Sequence, residues 1–427
     1  MSEAVRTWMP PRPVLIPPLS PRLRRPVFFH RRLQPFTHKV LPGLLLQGHK
    51  GCATAAGMTS PPVPKGMDAV HVGVDLVPTA LAELRRRNTQ RVFVMANRSS
   101  APLAEPLVAA LREQGTLAAP LCLDIGMGGG EEGLLRACDA AAAAGTDAVV
   151  TIGGGAIHDA GKLVRLWLSV CDEDGATASV EGIQRAAQPV ELELAPQLCA
   201  PNSFAMAELT SVAGVTTRNN VKSGAAHPAM MPTVVIYDPM LSRGLPDWVR
   251  FGTALRGVEH AIGAVCHPQA TDEHRASALR GLKMVVDGLR AMVDNPESED
   301  ANVDVYRGGW ITIRALNEAG YPAIAHFVQN HYSARYGVHQ GSCSGVLSAR
   351  ILHQHRSASA KWQELVRKHS HSSPIRAESL RHSATQPLIC VVLACAALRG
   401  LRRTWRASVS VGAKPGSEPP WRGQGSR

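Results

Sequence analysis

A chain of 427 residues with 45% hydrophobic and 19% charged residues is long enough for two sizeable domains and has the composition of an ordinary globular protein. Its formal net charge of +12 sits at the ends: residues 1–67 carry +9 and residues 357–427 another +9, so the body between them is −6. An acidic body argues against a nucleic-acid-binding core, and the apolar stretch "PLICVVLACAALRG" falls well short of the ~20 residues of a membrane span.

The first segment, residues 1–67, is rich in Pro and Arg, so a disordered basic leader is expected. It holds no acidic residue between Glu3 and Asp68, as transit segments do, which keeps a mitochondrial location open beside the expected cytoplasmic one. The prolines oppose that alternative, since they would break a presequence helix. Nine cysteines without a C-x-x-C pair read as reduced thiols.

From residue 68 to 240, strand-like runs ("RVFVMA", "DAVVTI", "PTVVIYDP") alternate with Ala- and Leu-rich helical stretches such as "APLAEPLVAALREQG" and "EEGLLRACDAAAAAG". That alternation predicts an α/β domain built on a parallel sheet. Beyond it, "GTALRGVEHAIGAV", "EHRASALRGLKMVVDGLRAMV" and "YRGGWITIRALNEAG" are helical in period, predicting an all-α domain over 241–400, and 401–427 reads as a disordered tail.

Within the first domain, "DAVVTIGGGAIHDAGKLVRLWLS" puts a buried strand, three glycines and a helix start side by side. Glycines permit a tight turn and close approach of a ligand to the backbone, and the helix N-terminus favours an anion such as a phosphate. A ligand-free βα connection is the alternative for a bare GGG. Asp159 and Lys162, spaced i, i+3, are either part of this site or a structural pair.

Five ordered segments together resemble the iron-containing alcohol dehydrogenase superfamily, in particular its maleylacetate reductase branch. They are "GGGAIHDAGK", "APNSFAMAELTSVAGVTT", "MPTVVIYDPMLSRGLP", "ALRGVEHAIGAV" and "PAIAHFVQNHYSARYGVHQGSCSGVL". The match spans roughly 68 to 356 and is lost after about 356. Ala156 and Gly161 replace the family's Ser and Ala in the glycine motif, and Asn202 and Ser203 replace two threonines. The resemblance implies an α/β dinucleotide-binding domain plus an all-α domain, a dehydroquinate synthase-like architecture, with NADPH or NADH between them and a homodimer as the expected assembly. Gly154, Gly155 and Ala156 would meet the pyrophosphate, Asn202 and Ser203 the phosphates and nicotinamide ribose, and Lys222 the adenosine ribose. Asn97 stands where NAD-preferring sites often carry a ribose-binding carboxylate, and Arg98 follows it, so a 2′-phosphate is permitted.

Metal-dependent members hold a divalent ion on an Asp and a His four residues apart and on two later histidines. His260 and His326 match two of these positions, whereas Arg256 and Gln340 occupy the others. A full iron or zinc site is therefore not expected; His260 and His326 would be its remaining ligands if one forms. His339 is displaced from the ligand position by one residue, and Asn330 stands where relatives carry another active-site histidine. Hydride addition to a carbonyl or enone develops negative charge on oxygen, which a guanidinium can stabilise as a metal would. Arg256 is then the anchor for a small acidic substrate, with His260 and His326 as hydrogen-bonding and proton-handling groups; an ordinary helix arginine is its alternative role. The expected activity is NAD(P)H-dependent reduction of a small carboxylated oxo or enone substrate, with no nucleic-acid or membrane partner. A metal-dependent alcohol or polyol dehydrogenase and a catalytically inactive nucleotide-binding relative remain as alternatives.

Overall fold

The computed structural model describes residues 62–126, 129–171, 177–320 and 324–370. The expected leader up to residue 61 and the expected tail 401–427 lie outside the described residues. Met67, at the end of the expected leader, belongs to the folded body: it is buried in the core and its N–H closes a turn onto Pro64 O.

Four apolar runs build the centre of a parallel sheet: β2 (Val92–Ala96), β3 (Ala148–Gly153), β4 (Gln197–Pro201) and β7 (Val234–Tyr237) are buried at every residue. A strand covered on both faces has no polar side to present, so it reads as a continuous hydrophobic run. With β1 (Ala69–Val72) at one edge, the strand order is β1-β7-β4-β3-β2, all parallel. Helices α1 (Leu76–Arg86) and α2 (Ala101–Glu113) pack on one face, while α3 (Glu131–Ala143), α4 (Gly155–Leu168) and α5 (Val180–Ala186) pack on the other. An antiparallel hairpin, β5 (Val212–Thr216) with β6 (Lys222–Ala226), stands apart from the main sheet.

The second half is helical, as expected: α6 (Asp247–Cys266), α7 (Asp272–Asp294), α8 (Glu299–Gly320), α9 (Ile324–Tyr336), α10 (Gln340–Gln354) and α11 (Arg356–Ser370). Among the described residues, no helix is long and apolar enough to cross a membrane. One core joins the halves: Cys199, Val235 and Tyr237 of the sheet cluster with apolar residues of α6, α7 and α8. Tyr306 of α8 lies at its centre, its ring 4.4 Å from that of Tyr237 and 4.6 Å from that of Phe204, and its hydroxyl donates to Pro201 O at 3.1 Å. The joint thus holds the carboxyl end of β4 against the helical half.

Helices α7 and α8 run antiparallel with their backbones nearly touching. A Cβ on Gly308 would lie 2.8 Å from Gly281 O, and one on Gly281 2.7 Å from Gly308 O. A side chain there must push the helices apart. Gly308→Val should therefore destabilise the protein by about 1–3 kcal/mol or more, as overpacking does. An unchanged urea midpoint would show that the helices separate at no cost.

Candidate active site

The glycine turn lies at the carboxyl end of the sheet, where open α/β folds hold their ligands. β3 ends at Gly153, whose φ of +147° suits glycine. A Cβ there would also come within 2.8 Å of Asn97 Oδ1. Gly154 is the extended N-cap of α4, and the helix starts at Gly155, so its first N–H groups face the mouth of the turn. The structure brings Asn97, the glycines and Asn202 together: Ser100 Oγ donates to Asn97 Oδ1 at 2.6 Å and accepts from Asn202 Nδ2 at 3.0 Å. Asn202 N in turn donates to Gly153 O at 3.0 Å. Ser203 stands over Gly154, its Oγ 3.4 Å from where a Cβ would be. Ala156 follows in the first turn of α4, half-buried like the two glycines before it.

The loop is also braced from below. His158 is fully buried, and its Nε2 lies 3.0 Å from Gly153 O. A carbonyl only accepts, so Nε2 carries the hydrogen and Nδ1 accepts from the Thr151 hydroxyl at 2.9 Å. Burial, helped by Lys162, lowers the imidazole pKa to about 3 and keeps this bracket neutral.

At Gly154, φ −86° and ψ −178° are open to any residue, and a Cβ meets only Ser203 Oγ at ordinary contact distance. Glycine is not required there by the fold, so Gly154→Val should stay folded while filling the space a pyrophosphate needs. Fluorescence titration should show dinucleotide affinity reduced at least about tenfold, or 1.4 kcal/mol. Unaltered affinity in the folded variant would remove the loop from the binding site.

Of the two sequence readings of Asp159 and Lys162, the structure favours the structural one. Lys162 is fully buried and its Nζ donates to Ala207 O at 2.7 Å, Val212 O at 2.9 Å, Thr210 Oγ1 at 3.1 Å and Asp159 Oδ1 at 3.2 Å. It staples α4 to the 207–212 segment. The departure at Gly161 has a steric reason: a Cβ there would lie 2.5 Å from both Gln197 Nε2 and Thr151 Cγ2. Lys222 lies across Gly214, where a Cβ would come within 2.6 Å of its Cε. Burial lowers its pKa, Asp159 raises it and Arg256 lowers it.

The chemistry-bearing side chains meet on α6, and they include one the sequence reading missed. Arg256, His260 and His326 are buried together as expected, but Glu259, buried to 2% exposure, is among them. Glu259 Oε2 accepts from His326 Nδ1 at 3.3 Å and from Gln329 Nε2 at 3.1 Å, and lies 3.8 Å from His260 Nε2. Gln329 is itself held by the Ser344 hydroxyl. Arg256 Nε donates to Ala205 O at 3.3 Å, and its Nη2 lies 3.4 Å from both ring nitrogens of His326. Burial opposes the Glu259 charge, but His326, His260 and Arg256 outweigh it and hold its pKa at about 2. Burial pushes His260 well below the usual histidine value and lowers His326 as well, while Glu259 opposes both shifts. Three sets of buried atoms here have no hydrogen-bond partner: Arg256 Nη1, Glu259 Oε1, and both ring nitrogens of His260.

The neighbouring candidates are placed elsewhere. His339 caps α10, accepting from Ser342 N at 3.3 Å, and its ring meets Trp248 edge-on at 5.1 Å. Gln340 is the first residue of α10. His331 is exposed and bonds to Phe327 O of its own helix. Asn330 keeps a buried Oδ1 without a partner.

The fold has known counterparts. The family model described as iron-containing alcohol dehydrogenase matches residues 68–239, and the one for the C-terminal part of the Fe-containing alcohol dehydrogenase family matches 252–385. The chain belongs to the iron-containing alcohol dehydrogenase superfamily. Among its relatives it is 30% identical over 238 residues to a maleylacetate reductase of Rhizobium sp. (strain MTP-10005), covering 56% of this chain and 60% of that protein. Alcohol dehydrogenase 4 of Schizosaccharomyces pombe is 26% identical over 206 residues, 48% of this chain and 47% of that one. The chain thus spans about 60% or less of the length of these curated relatives. The fold is shared with the crystal structure of maleylacetate reductase from Agrobacterium tumefaciens, with a TM-score of 0.60, 20% identity, and 84% and 93% of the two chains covered. It is also shared with NADH-dependent butanol dehydrogenase A from Thermotoga maritima, with a TM-score of 0.66, 15% identity, and 81% and 84% covered. The C-terminal match to 385, with helix α11 inside it, corrects the expectation that the resemblance ends near 356.

The family name implies iron, and the residues at the inherited positions do not fit it. A divalent ion on His326 would press against the guanidinium that lies 3.4 Å from both its ring nitrogens. The glycine turn does fit a dinucleotide, since it combines a helix N-terminus with uncrowded space above Gly154.

Proposed function

We propose that this chain is an NAD(P)H-dependent reductase acting on a small carboxylated oxo or enone substrate, with a guanidinium where metal-dependent relatives place an ion. The observation that carries the reading is Arg256, strung between Ala205 O and His326 with Nη1 buried and unpaired, one helical turn before His260, whose ring nitrogens are unpaired as well. Ala205 belongs to the segment that packs on the glycine helix, its Cβ 3.1 Å from where a Gly155 Cβ would lie, so Arg256 reaches from the nucleotide face to the catalytic histidines.

A reduced nicotinamide held by the glycine turn supplies the hydride. As a substrate carbonyl becomes an alkoxide or enolate, Arg256 Nη1 donates to the growing negative charge and neutral His260 adds one N–H. A proton from solvent then completes the reduction, leaving oxidised nicotinamide and the hydroxy or saturated oxo product. Glu259 fixes His326 with its hydrogen on Nδ1, which leaves Nε2 to accept from Arg256. Asn97 has no charge to repel a 2′-phosphate and Arg98 is exposed beside it, so both NADPH and NADH are accepted.

The Rhizobium relative is a maleylacetate reductase, which supports an unsaturated oxo-dicarboxylate as the first probe. Purified protein should oxidise NADPH or NADH with maleylacetate at a far higher kcat/KM than with uncharged aldehydes of the same size. Equal turnover of the uncharged aldehydes would overturn the acidic-substrate reading.

A further inference from the structure

We propose that Glu259, His260 and His326 are the ligand triangle of a latent divalent-metal site, and that the Arg256 guanidinium is the cation that fills it in the native chain. The carboxylate of this site comes from the residue directly before His260, not from the residue four before it. One ligand-type atom from each of the three residues lies within 4.8 Å of the others. From Glu259 Oε2, the distances are 3.3 Å to His326 Nδ1 and 3.8 Å to His260 Nε2. Donors around a tetrahedral zinc with bonds of ~2.0 Å stand about 3.3 Å apart, so a small contraction and a shift of the His326 hydrogen from Nδ1 to Nε2 separate the native geometry from a coordinating one.

Two further observations point to a cation. Glu259 Oε1 and both nitrogens of His260 are buried without a hydrogen-bond partner, lone pairs and donors the fold itself leaves unused. A carboxylate with two imidazoles is a donor set that zinc or cobalt accepts. Arg256 Nη2 sits 3.4 Å from each ring nitrogen of His326, so a full positive charge already stands at the edge of this triangle. The guanidinium offsets the Glu259 charge and shields the triangle from an incoming ion.

The test uses metal binding in the absence of nucleotide and substrate, so its failure leaves the reductase reading standing, and the reverse also holds. Native protein, Arg256→Ala and Arg256→Ala combined with Glu259→Gln are loaded with cobalt(II) or zinc(II), dialysed against metal-free buffer, and compared by elemental analysis and cobalt absorption. The native chain should keep less than about a tenth of an equivalent. Arg256→Ala should keep about one, with the strong visible bands of a low-coordinate cobalt site, and the double variant should lose it at least about tenfold. If the alanine variant does not fold, Arg256→Met fills the stem volume and serves in its place. The proposal is overturned by stoichiometric metal in the native chain, by no binding once Arg256 is replaced, or by binding that persists after Glu259→Gln.

Discussion

Arg256→Ala should lower kcat/KM for a carboxylated oxo substrate by about 30- to 1000-fold, the roughly 2 to 4 kcal/mol lost when one oxyanion-stabilising group is removed. Nη1 is the buried donor the fold leaves unpaired, and it is the one the developing charge would use. Arg256→Lys keeps the charge but not the planar fork that spans Ala205 O and His326, so it should raise KM and also lower kcat, by less than alanine does. Dinucleotide affinity should hold in both variants, which separates a catalytic loss from a collapsed site. Because the alanine variant uncovers Glu259 and two imidazoles, its kinetics are measured in the presence of a chelator. Unchanged kcat/KM for every substrate the native protein reduces would end the anchoring role.

The second large effect is on stability. Lys162→Met should cost about 3 kcal/mol, because it strips a fully buried ammonium from Ala207 O, Val212 O and Thr210 Oγ1 while leaving those acceptors inside. The lost staple holds the 207–212 segment against α4, so dinucleotide affinity should weaken in parallel. The urea midpoint reads the first effect and nucleotide titration the second. A variant of native stability with activity alone reduced would return Lys162 to the catalytic machinery.

The elements legible in the sequence are those whose own residues carry the pattern. β2, β3 and β7 are buried on both faces and show as apolar runs, and α7 and α8 show their 3.6-residue period because one stripe of each packs into the shared core. The strand, glycine turn and helix start of the 148–168 segment coincide in the structure as in the sequence. The β5–β6 hairpin escaped the reading because its strands, "VAGVT" and "KSGAA", are made of small residues. Close approach demands them: a Cβ on Gly224 would lie 2.0 Å from Ala213 O. β1 is only half-buried at every residue, and β4, "QLCAP", opens on Gln and ends on Pro, so neither shows as an apolar run.

In the site, motif matching found Arg256, His260 and His326 but passed over Glu259, which occupies no position of the family pattern. A signal was available nonetheless. Between Phe251 and Ile262 every residue of α6 is buried, so charged residues at 256 and 259 could not both be ordinary solvated side chains. A buried guanidinium also does not by itself demand a substrate anion, because Glu259 already offsets its charge within the fold. What remains for the substrate is the directional donor, Nη1, and the unpaired imidazole of His260.

A side-chain cation that takes the place of the ion of metal-dependent relatives leaves the reaction independent of metal. This is measured as the steady-state rate of NADPH or NADH oxidation with maleylacetate by protein stripped with a strong chelator, beside untreated protein and stripped protein resupplied with iron(II) or zinc(II). The same kcat and KM are expected in all three. Activity that vanishes on stripping and returns with the metal would contradict that independence.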